Sequence, residues 1–488
     1  MPGMVAPTFT VVGIDCFERP VRLRLPFRFG AATLTEAIQI FVRARIRLPA
    51  GREAVGATAD LMVPKWFDKD PTLSDDENVE ELRCALTVAR DAYMADATPR
   101  SAFGHFAAHY DECLAEGERR GLPALAAQFG PAEIDRALLD ALCRTVGVSF
   151  PRAVQANLIG FNPAAVAHDL DGFDASALLA SLAPRDTIAL RHTIGLVDPL
   201  SGHPRQADDG LPESLEEVIA FYRPTWFKLK LGGDVAADLA RLIEIAAVLD
   251  RLPSYRVTLD GNEQFTDPAQ LRALIERMQA EPCLHRLSAA VAFIEQPIAR
   301  RCALEHDVGG IAHNIALLID ESDAAVDAFP RSRALGYTGV SSKSCKGLYK
   351  SFINLARCTR WNAEEGASRF FLSAEDLTTQ AGMSVQQDLA LAALLGIEHV
   401  ERNGHHYGNG MAGAPEPEQR SFLAAHPDLY ERSHGAVRLA IRGGMLALRS
   451  LWSEGFASGA LPDWSSLTPQ LSRPGSRSAA ATAPIPSI

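Results

Sequence analysis

Four short segments decide the fold: WFKLKL at residues 226–231, VTLDGN at 257–262, FIEQP at 293–297 and LLIDES at 317–322. Each carries a short apolar run, which predicts a buried strand, and each places charged residues in or directly after that run. Segments with helical spacing separate them along the chain. Strands that alternate with helices predict βα units around a parallel sheet.

The same alternation extends in both directions from these segments. The predicted strands are Ile188–Ile194, Trp226–Leu231, Arg256–Leu259, Val291–Ile294, Ala316–Ile319, Gly339–Ser342, Phe370–Ala374 and Ile397–Val400. Successive strands leave room for one helix and two loops, and eight such units can close on themselves. We therefore predict an α/β fold, a modified (β/α) TIM-type barrel. A doubly wound open sheet is the alternative.

The rest of the 488 residues predicts further structure around the barrel. Strand-like and then helical patterns predict an N-terminal α+β capping domain at residues 1–150. The barrel is assigned to residues 151–430, with an insertion at Asn162–Arg185. Residues 431–464 contain the paired glycines Gly443-Gly444, which predict a C-terminal hairpin that rejoins the cap. Residues 465–488 are rich in Ser, Pro and Ala, and this composition predicts a disordered tail.

The overall composition disfavours several classes of partner. Lys+Arg 48 against Asp+Glu 60 gives a formal net charge of −12, which repels nucleic acid and anionic membrane surfaces. No apolar run is long enough to span a bilayer, nothing at the N-terminus predicts secretion, and the 8 cysteines form no C-x-x-C pair. We expect a cytoplasmic homo-oligomer that binds a small ligand, with no nucleic-acid and no membrane partner.

Three consecutive predicted strands end in carboxylates, at Asp260, at Glu295 and at Asp320-Glu321. Taken singly, each is explained by a turn, a solvated strand end or a helix cap. In a barrel, however, the carboxyl ends of the strands converge on one mouth. Converging carboxylates repel each other without a cation between them, and oxygen ligands select a hard ion. We expect Mg²⁺, with Mn²⁺ or Ca²⁺ as alternatives.

Lysines follow a second pattern at the same strand ends. Lys228 and Lys230 are two residues apart on the second strand, so both side chains point to one face. For this segment alone, a solvated edge strand is the simpler reading. The sixth strand ends in Lys343, however, and strands two and six lie opposite each other in an eight-stranded ring. Lys230 and Lys343 would then face the two sides of a carboxylate substrate and remove or return its α-proton.

These segments, in this order, resemble the enolase superfamily, and within it muconate lactonising enzymes, o-succinylbenzoate synthases and dipeptide epimerases. The resemblance rests on Pro26–Gly30, Lys228-Leu229-Lys230, Asp260-Gly261-Asn262, Glu295-Gln296-Pro297, Asp320-Glu321-Ser322 and Lys343–Gly347. It implies Mg²⁺ held by Asp260, Glu295 and Asp320, with Lys230 and Lys343 as the acid/base pair and Lys228 in support. The choice of Asp320 over Glu321 comes from the family pattern alone. An ene-diolate intermediate is part of that family's known chemistry.

The remaining polar and charged positions near the strand ends are candidates for substrate contacts: Asn262, Glu321, Lys346, Glu375 and Glu401. The first domain carries Gly56–Asp60 where relatives often have Gly-x-Gly-Glu. Glu401-Arg402-Asn403 replaces the D-x-D of dipeptide epimerases, which disfavours a dipeptide substrate. Glu375-Asp376 carries no histidine, which argues against the His-Asp dyad of mandelate racemases.

Several other motifs have competing interpretations. His192, His405 and His406 can contact substrate, although buried structural histidines are the expected reading. Lys65-Trp66 either covers the mouth or packs in the cap. Gly408-x-Gly410-x-x-Gly413 matches a dinucleotide-binding fingerprint in letters only, because no βα turn precedes it and Ala414-Pro415 stops a helix.

The favoured function is Mg²⁺-dependent abstraction of the proton α to a carboxylate, giving racemisation or epimerisation of an acid or acylated amino acid. The alternatives in the same site are β-elimination, as in a dehydratase or an o-succinylbenzoate synthase, and cycloisomerisation. The enzyme would thus be an isomerase or a lyase. A non-catalytic relative that binds an acid ligand is a further alternative.

Overall fold

The computed structural model describes residues 6–470 apart from residues 31, 204 and 314. Its strands are β1 (Thr10–Phe29), β2 (Ala32–Arg47), β3 (Glu53–Met62), β4 (Thr187–Ile194), β5 (Trp226–Lys230), β6 (Arg256–Asp260), β7 (Val291–Glu295), β8 (Leu317–Ile319), β9 (Gly339–Ser342), β10 (Phe371–Ala374), β11 (His399–Arg402), β12 (Tyr430–Ser433), β13 (Ala436–Leu439), β14 (Met445–Ala447) and β15 (Thr468–Pro469).

The helices are α1 (Asp75–Ala95), α2 (Ala102–Arg119), α3 (Ala124–Ala127), α4 (Phe129–Val146), α5 (Phe150–Gln155), α6 (Ala175–Ser181), α7 (Leu215–Tyr222), α8 (Val235–Leu249), α9 (Pro268–Ala280), α10 (His285–Ala290), α11 (Arg300–Ala303), α12 (Gly309–Ala312), α13 (Ala328–Ala334), α14 (Leu348–Glu365), α15 (Met383–Leu394), α16 (Gly404–Tyr407) and α17 (Glu416–Ala425).

Strands β4 to β11 form the predicted barrel. They pair in parallel in sequence order, and β11 pairs back with β4, so the ring of eight is closed. The open-sheet alternative is therefore excluded. Each strand lies within two residues of its predicted bounds, because short apolar runs bounded by turn residues are strong strand signals.

The N-terminal cap is an antiparallel sheet of β1, β2 and β3 covered by helices. Ser74 begins α1 with a capping box, in which its side chain and that of Glu77 each bond the other's backbone N–H. Apolar side chains of the sheet and of α1, α2 and α4 share one core that continues into the barrel. The cap is therefore fixed against the barrel mouth.

The C-terminal segment differs from the prediction. The turn at Gly443-Gly444 exists, with φ of 59° and 73°, but β14 pairs with barrel strand β4 rather than with the cap. The reason is register: β5 begins opposite Arg191, so residues Thr187–Ala189 of β4 present a free edge there that β14 fills. The chain returns to the cap through β15, which pairs with β1.

Two further predictions concern the tail and the insertion of the chain. Residues 465–470 are placed by the structure, and the rest of the predicted tail, 471–488, lies outside the described residues. The segment predicted as an insertion, 162–185, packs on α14, where the Arg357 guanidinium donates to Asp169 at 2.8 Å.

Among the described residues, no helix has the length and apolar character needed to cross a membrane. All eight cysteines are free thiols.

Candidate active site

The carboxyl ends of the barrel strands open onto a cavity of about 340 Å³ beneath the cap. Its barrel side is lined by Lys228, Lys230, Asp260, Asn262, Glu295, Lys343, Asp376, Leu377, Thr378, Glu401 and Asn403. Its cap side is lined by Phe27, Phe29, Val63 and Trp66. The structure thus brings together both predicted acid/base lysines and two of the three predicted metal-binding acids.

Lys228 is the centre of a buried charge cluster. Its Nζ lies 2.9 Å from Asp260, 2.7 Å from Glu295, 2.8 Å from Glu375 and 2.8 Å from Glu401. Burial alone would lower the pKa of Lys228, but these four carboxylates outweigh it and raise that pKa well above its usual value. Lys228 is therefore a permanent cation in this arrangement.

Glu295 is the least satisfied member of this cluster. An ammonium group has three protons, and Lys228 directs its hydrogen bonds to Glu375 and Glu401. Glu295 Oε2 is buried and accepts no hydrogen bond, although the Lys228 charge is close to it. Burial and then the neighbouring charge of Asp260 raise the pKa of Glu295 well above its usual value. The cation nearest this carboxylate, Lys228, is shared with three other carboxylates.

Lys230 and Lys343 lie on strands β5 and the end of β9, which are opposite each other in the ring. Lys230 Nζ donates to Asp260 at 2.6 Å and to the Asn262 side-chain oxygen at 2.7 Å. Lys343 Nζ donates to Asp320 at 2.6 Å. Each lysine is therefore held by one of the outer acids, and both ammonium groups line the same cavity.

The third predicted acid, Asp320, follows β8. It accepts hydrogen bonds from Lys343, from Lys346 at 3.1 Å and from the Ser341 hydroxyl. Burial opposes its ionisation, yet Lys343 and Lys346 hold the pKa of Asp320 well below its usual value. Burial also opposes the charged form of Lys343, but Asp320 and Glu295 raise its pKa above the usual value.

Glu321 and Asn262 occupy neighbouring positions at the edge of the site. Glu321 accepts a hydrogen bond from the Asn262 amide at 3.2 Å, and burial raises the pKa of Glu321. The turn that carries Asn262 requires glycine at 261, because a Cβ there would lie 2.5 Å from Pro297 Cα. This close approach packs the ends of β6 and β7 against each other.

Asp260, Glu295 and Asp320 offer a donor set for a divalent cation. Among the described residues, no three acidic, histidine or cysteine side chains are already grouped around an ion position, because lysine ammonium groups lie between the acids. The donors are all carboxylate oxygens, the set that Mg²⁺ prefers. Glu295 also offers a buried oxygen without a hydrogen bond. The donor set therefore fits a hard cation once Asp260 and Asp320 turn from their lysines.

Glu375 and Glu401, predicted as substrate contacts, are committed to the barrel interior. Glu375 pairs with Arg191 and with Lys228. Glu401 accepts from Lys228, from the Thr193 hydroxyl at 2.7 Å and from the Asn403 amide at 3.1 Å. Lys346 likewise lies behind Asp320 and does not line the cavity. Glu375 and Lys346 therefore support the site from outside the cavity, whereas Glu401 lines the cavity with its oxygens already bonded.

The cap loop after β3 covers the mouth, which settles one of the open readings. Trp66 is buried, and its ring centre lies 4.2 Å from Lys343 Nζ, a cation–π contact. Lys65 points elsewhere, donating to backbone oxygens of its own loop. Phe27 lies 6.0 Å from Lys230 Nζ on the other side. Each predicted acid/base lysine thus has an aromatic ring of the cap beside it.

Two cationic side chains hold this loop in place. The Arg300 guanidinium donates to the Phe67 oxygen at 2.8 Å, to the Trp66 oxygen at 2.7 Å and to Glu263 at 2.8 Å. Lys69 of the loop pairs with Glu263 and donates to the Asn262 oxygen at 3.1 Å. No local sequence pattern indicates this clamp, because its members lie far apart along the chain.

The three histidines lie outside the cavity. Arg191 and Thr193, on either side of His192 in β4, reach acids in the barrel interior, so His192 points to the opposite face. Its Nδ1 lies 3.2 Å from His405 Nε2, and its ring packs against His406. Burial lowers the pKa of all three well below the usual value, so they are neutral. The expected reading as buried structural residues agrees with this placement.

No family model matches the sequence, and no curated protein matches it either. Many solved structures do share its fold, and they include enolase-superfamily proteins of the mandelate racemase and muconate lactonizing type. Like them, the chain has a closed barrel of eight parallel strands and an N-terminal antiparallel sheet domain.

Three neighbours illustrate the range of activities on this fold. The muconate lactonizing enzyme of Mycobacterium smegmatis, complexed with muconolactone, has a TM-score of 0.57 and 16% identity, covering 93% of this chain and 98% of its own. The dipeptide epimerase of Enterococcus faecalis, complexed with Mg and L-Leu-L-Tyr, has a TM-score of 0.56 and 14% identity, covering 92% of this chain and 99% of its own. The L-Ala-D/L-Glu epimerase of Bacillus subtilis has a TM-score of 0.53 and 15% identity, covering 93% of this chain and 100% of its own. At these identities the likeness establishes the fold.

Proposed function

We propose that this protein is a Mg²⁺-dependent enzyme that abstracts the proton α to a substrate carboxylate, and that it racemises or epimerises its substrate. The observation that carries the proposal is the placement of Lys230 and Lys343, which come from opposite strands and line one cavity with Asp260 and Glu295 between them. Neighbours with this fold include epimerases and a muconate lactonizing enzyme, which supports the general class of reaction.

In the proposed reaction, one lysine takes the α-proton on its neutral Nζ and the other returns a proton to the opposite face. The substrate carbon lies between them, so inversion needs no rotation of the substrate. Which lysine acts as base depends on the enantiomer bound. Lys228 stays protonated and stabilises the negative charge that grows on the substrate as the proton leaves.

Asp260, Glu295 and Asp320 would hold Mg²⁺ in this proposal. When bound, the ion supplies positive charge that stabilises the substrate carboxylate oxygens after the α-proton has been removed. Turning Asp260 and Asp320 toward it would also free Lys230 and Lys343 from their ion pairs. Structural neighbours complexed with Mg support the choice of metal, and Mn²⁺ is a substitute to test. The buried walls exclude water from the reacting carbon.

β-Elimination and cycloisomerisation use the same first step and differ in the fate of the deprotonated substrate. A solved muconate lactonizing enzyme shares the fold, so cycloisomerisation is kept as an alternative reaction. Stereochemistry separates the cases, because inversion requires both lysines whereas elimination or lactonisation can proceed with one.

The test is exchange of the α-proton in D₂O, followed by NMR on both enantiomers of candidate carboxylates with Mg²⁺ present. Lys230→Met and Lys343→Met should each abolish racemisation and slow exchange by about 10²–10⁴-fold for one enantiomer, while Mg²⁺ binding persists. Lys350→Met, which replaces another buried lysine behind the site, is the matched control and should racemise. Full racemisation by either catalytic variant contradicts the two-lysine mechanism. No exchange with any acid favours a ligand-binding relative.

A further inference from the structure

We infer that the substrate is a small monocarboxylate whose other groups are uncharged and largely apolar. The position of the carboxylate, near the candidate metal-binding acids, rests on the proposed function. The rest of the inference comes from the walls of the cavity, which neither the fold nor the reaction class dictates.

The cap side of the cavity is apolar. The cap contributes four apolar side chains to the cavity wall, and the barrel contributes one: Phe27, Phe29, Val63 and Trp66 from the cap, and Leu377 from the barrel. All five side chains are at most 6% exposed, so they pack against their surroundings rather than point into solvent. The cap side chains close over the barrel mouth, which limits the size of the substrate.

No cation is left for a second substrate carboxylate. Among the described residues that line the cavity, the cations are Lys228, Lys230 and Lys343. Lys228 is shared by four carboxylates, and the other two are the proposed acid/base pair. A second carboxylate would therefore lie against aromatic rings without a counter-charge, which is strongly unfavourable.

No acid is left for a substrate ammonium group either. Asp376 accepts from Thr379, from the Arg402 guanidinium at 3.0 Å and from the Asn403 backbone N–H at 2.7 Å. Glu401 is equally occupied, with Lys228 and the Asp376 backbone N–H on one oxygen and Thr193 and Asn403 on the other. The Asp376 carboxylate, after β10, and the Glu401 carboxylate, in β11, therefore both face the cavity with their charge already balanced by neighbouring protein groups.

The apolar roof is preformed. Arg300 holds the backbone at Trp66 and Phe67, and Lys69 anchors the end of the same loop to Glu263. The ring of Trp66 is therefore fixed over Lys343 before any ligand arrives. Because the roof is fixed in this way, its chemistry selects the substrate.

Three acids with an α-proton test the inference: 2-phenylpropionate, 2-methylsuccinate with its second carboxylate, and alanylalanine with its ammonium group. Exchange rates in D₂O with Mg²⁺ give the relative kcat/KM, and thermal-shift titrations give binding independently of turnover. We expect 2-phenylpropionate to exchange at least 100-fold faster than either charged acid. Trp66→Ala should reduce that ratio at least tenfold. Trp464→Ala, which removes a tryptophan packed on Phe17 and Arg43 away from the cavity, should leave the ratio unchanged.

The outcomes separate this inference from the proposed function. If a charged acid exchanges as fast as 2-phenylpropionate, the inference is overturned and the proposed function stands. If 2-phenylpropionate binds selectively but no acid exchanges, the inference stands and the proposed function is overturned. If no acid exchanges and 2-phenylpropionate binds no better than the charged acids, both are overturned. An unchanged ratio in Trp66→Ala removes the roof as the cause of selectivity.

Discussion

Replacing Lys228 with methionine should lower the free energy of unfolding by roughly 3–5 kcal/mol, the usual cost of removing one partner from a buried ion pair. Lys228 is 1% exposed and contacts four carboxylates within 2.9 Å. Three of them keep other donors: Asp260 retains Lys230, Glu375 retains Arg191, and Glu401 retains Thr193 and Asn403. Glu295 retains no hydrogen-bond donor, so the penalty concentrates there.

Chemical denaturation of wild type, Lys228→Met and Lys350→Met measures this loss. Lys350 is equally buried, but its pKa is lowered to about 8 by burial, and its Nζ donates to the Gln128 amide oxygen. Its acidic neighbour Asp323, at 3.3 Å, keeps a second cation, Lys346, at 3.2 Å when Lys350 is removed. Its replacement should therefore cost less, on the order of 1–2 kcal/mol. Mg²⁺ should recover part of the loss in Lys228→Met, because a divalent cation can replace the missing charge. Equal losses in the two variants, with no effect of Mg²⁺, would refute the reasoning about the acid cluster.

Three further predictions concern the cap loop after β3, the cap packing and pH. Arg300→Met should raise KM and increase proteolysis within residues 63–74, with Arg300→Lys intermediate, because the bonds to the Trp66 and Phe67 oxygens are lost; unchanged proteolysis contradicts the clamp. Gly56→Ala should destabilise the cap by about 1–3 kcal/mol in thermal unfolding, because its Cβ would lie 2.1 Å from Ala141 N, whereas Gly413→Ala, with open space around it, should change stability by less than about 0.5 kcal/mol; equal effects contradict this. Burial lowers the pKa of His105 to about 4, so between pH 4 and 6.5 this residue is neutral in the folded state and protonated in the unfolded state. The free energy of unfolding therefore decreases as the pH is lowered through that range, by about 2 kcal/mol from pH 7 to 5. His105→Gln should flatten this acid-induced loss in denaturation curves, and an unchanged slope excludes His105 as its source.

The barrel was predictable because its signals are local. Each strand is a short apolar run between turn residues, and the residue that ends it is already charged in the sequence, as Asp260 and Glu295 show. Eight such units with room for a helix between them leave few topologies. The opposition of Lys230 and Lys343 then follows from counting strands around the ring.

Other features depend on contacts between residues far apart in sequence. The four-acid environment of Lys228 requires Glu375 and Glu401 to reach the barrel interior, and nothing near either residue indicates that direction. The pairing of β14 with β4 depends on how far β4 extends beyond β5. The placement of Trp66 over Lys343 depends on how the cap is oriented on the barrel, which the spacing of either segment does not encode.

Anomalous scattering from a crystal of the protein soaked in Mn²⁺ would locate the proposed cation between Lys230 and Lys343. We expect a single strong peak within coordination distance of an oxygen from each of Asp260, Glu295 and Asp320, with both lysine ammonium groups turned toward the cavity. A peak elsewhere, or no peak while Lys228 still bridges Asp260 and Glu295, would show that the three acids do not gather around one ion.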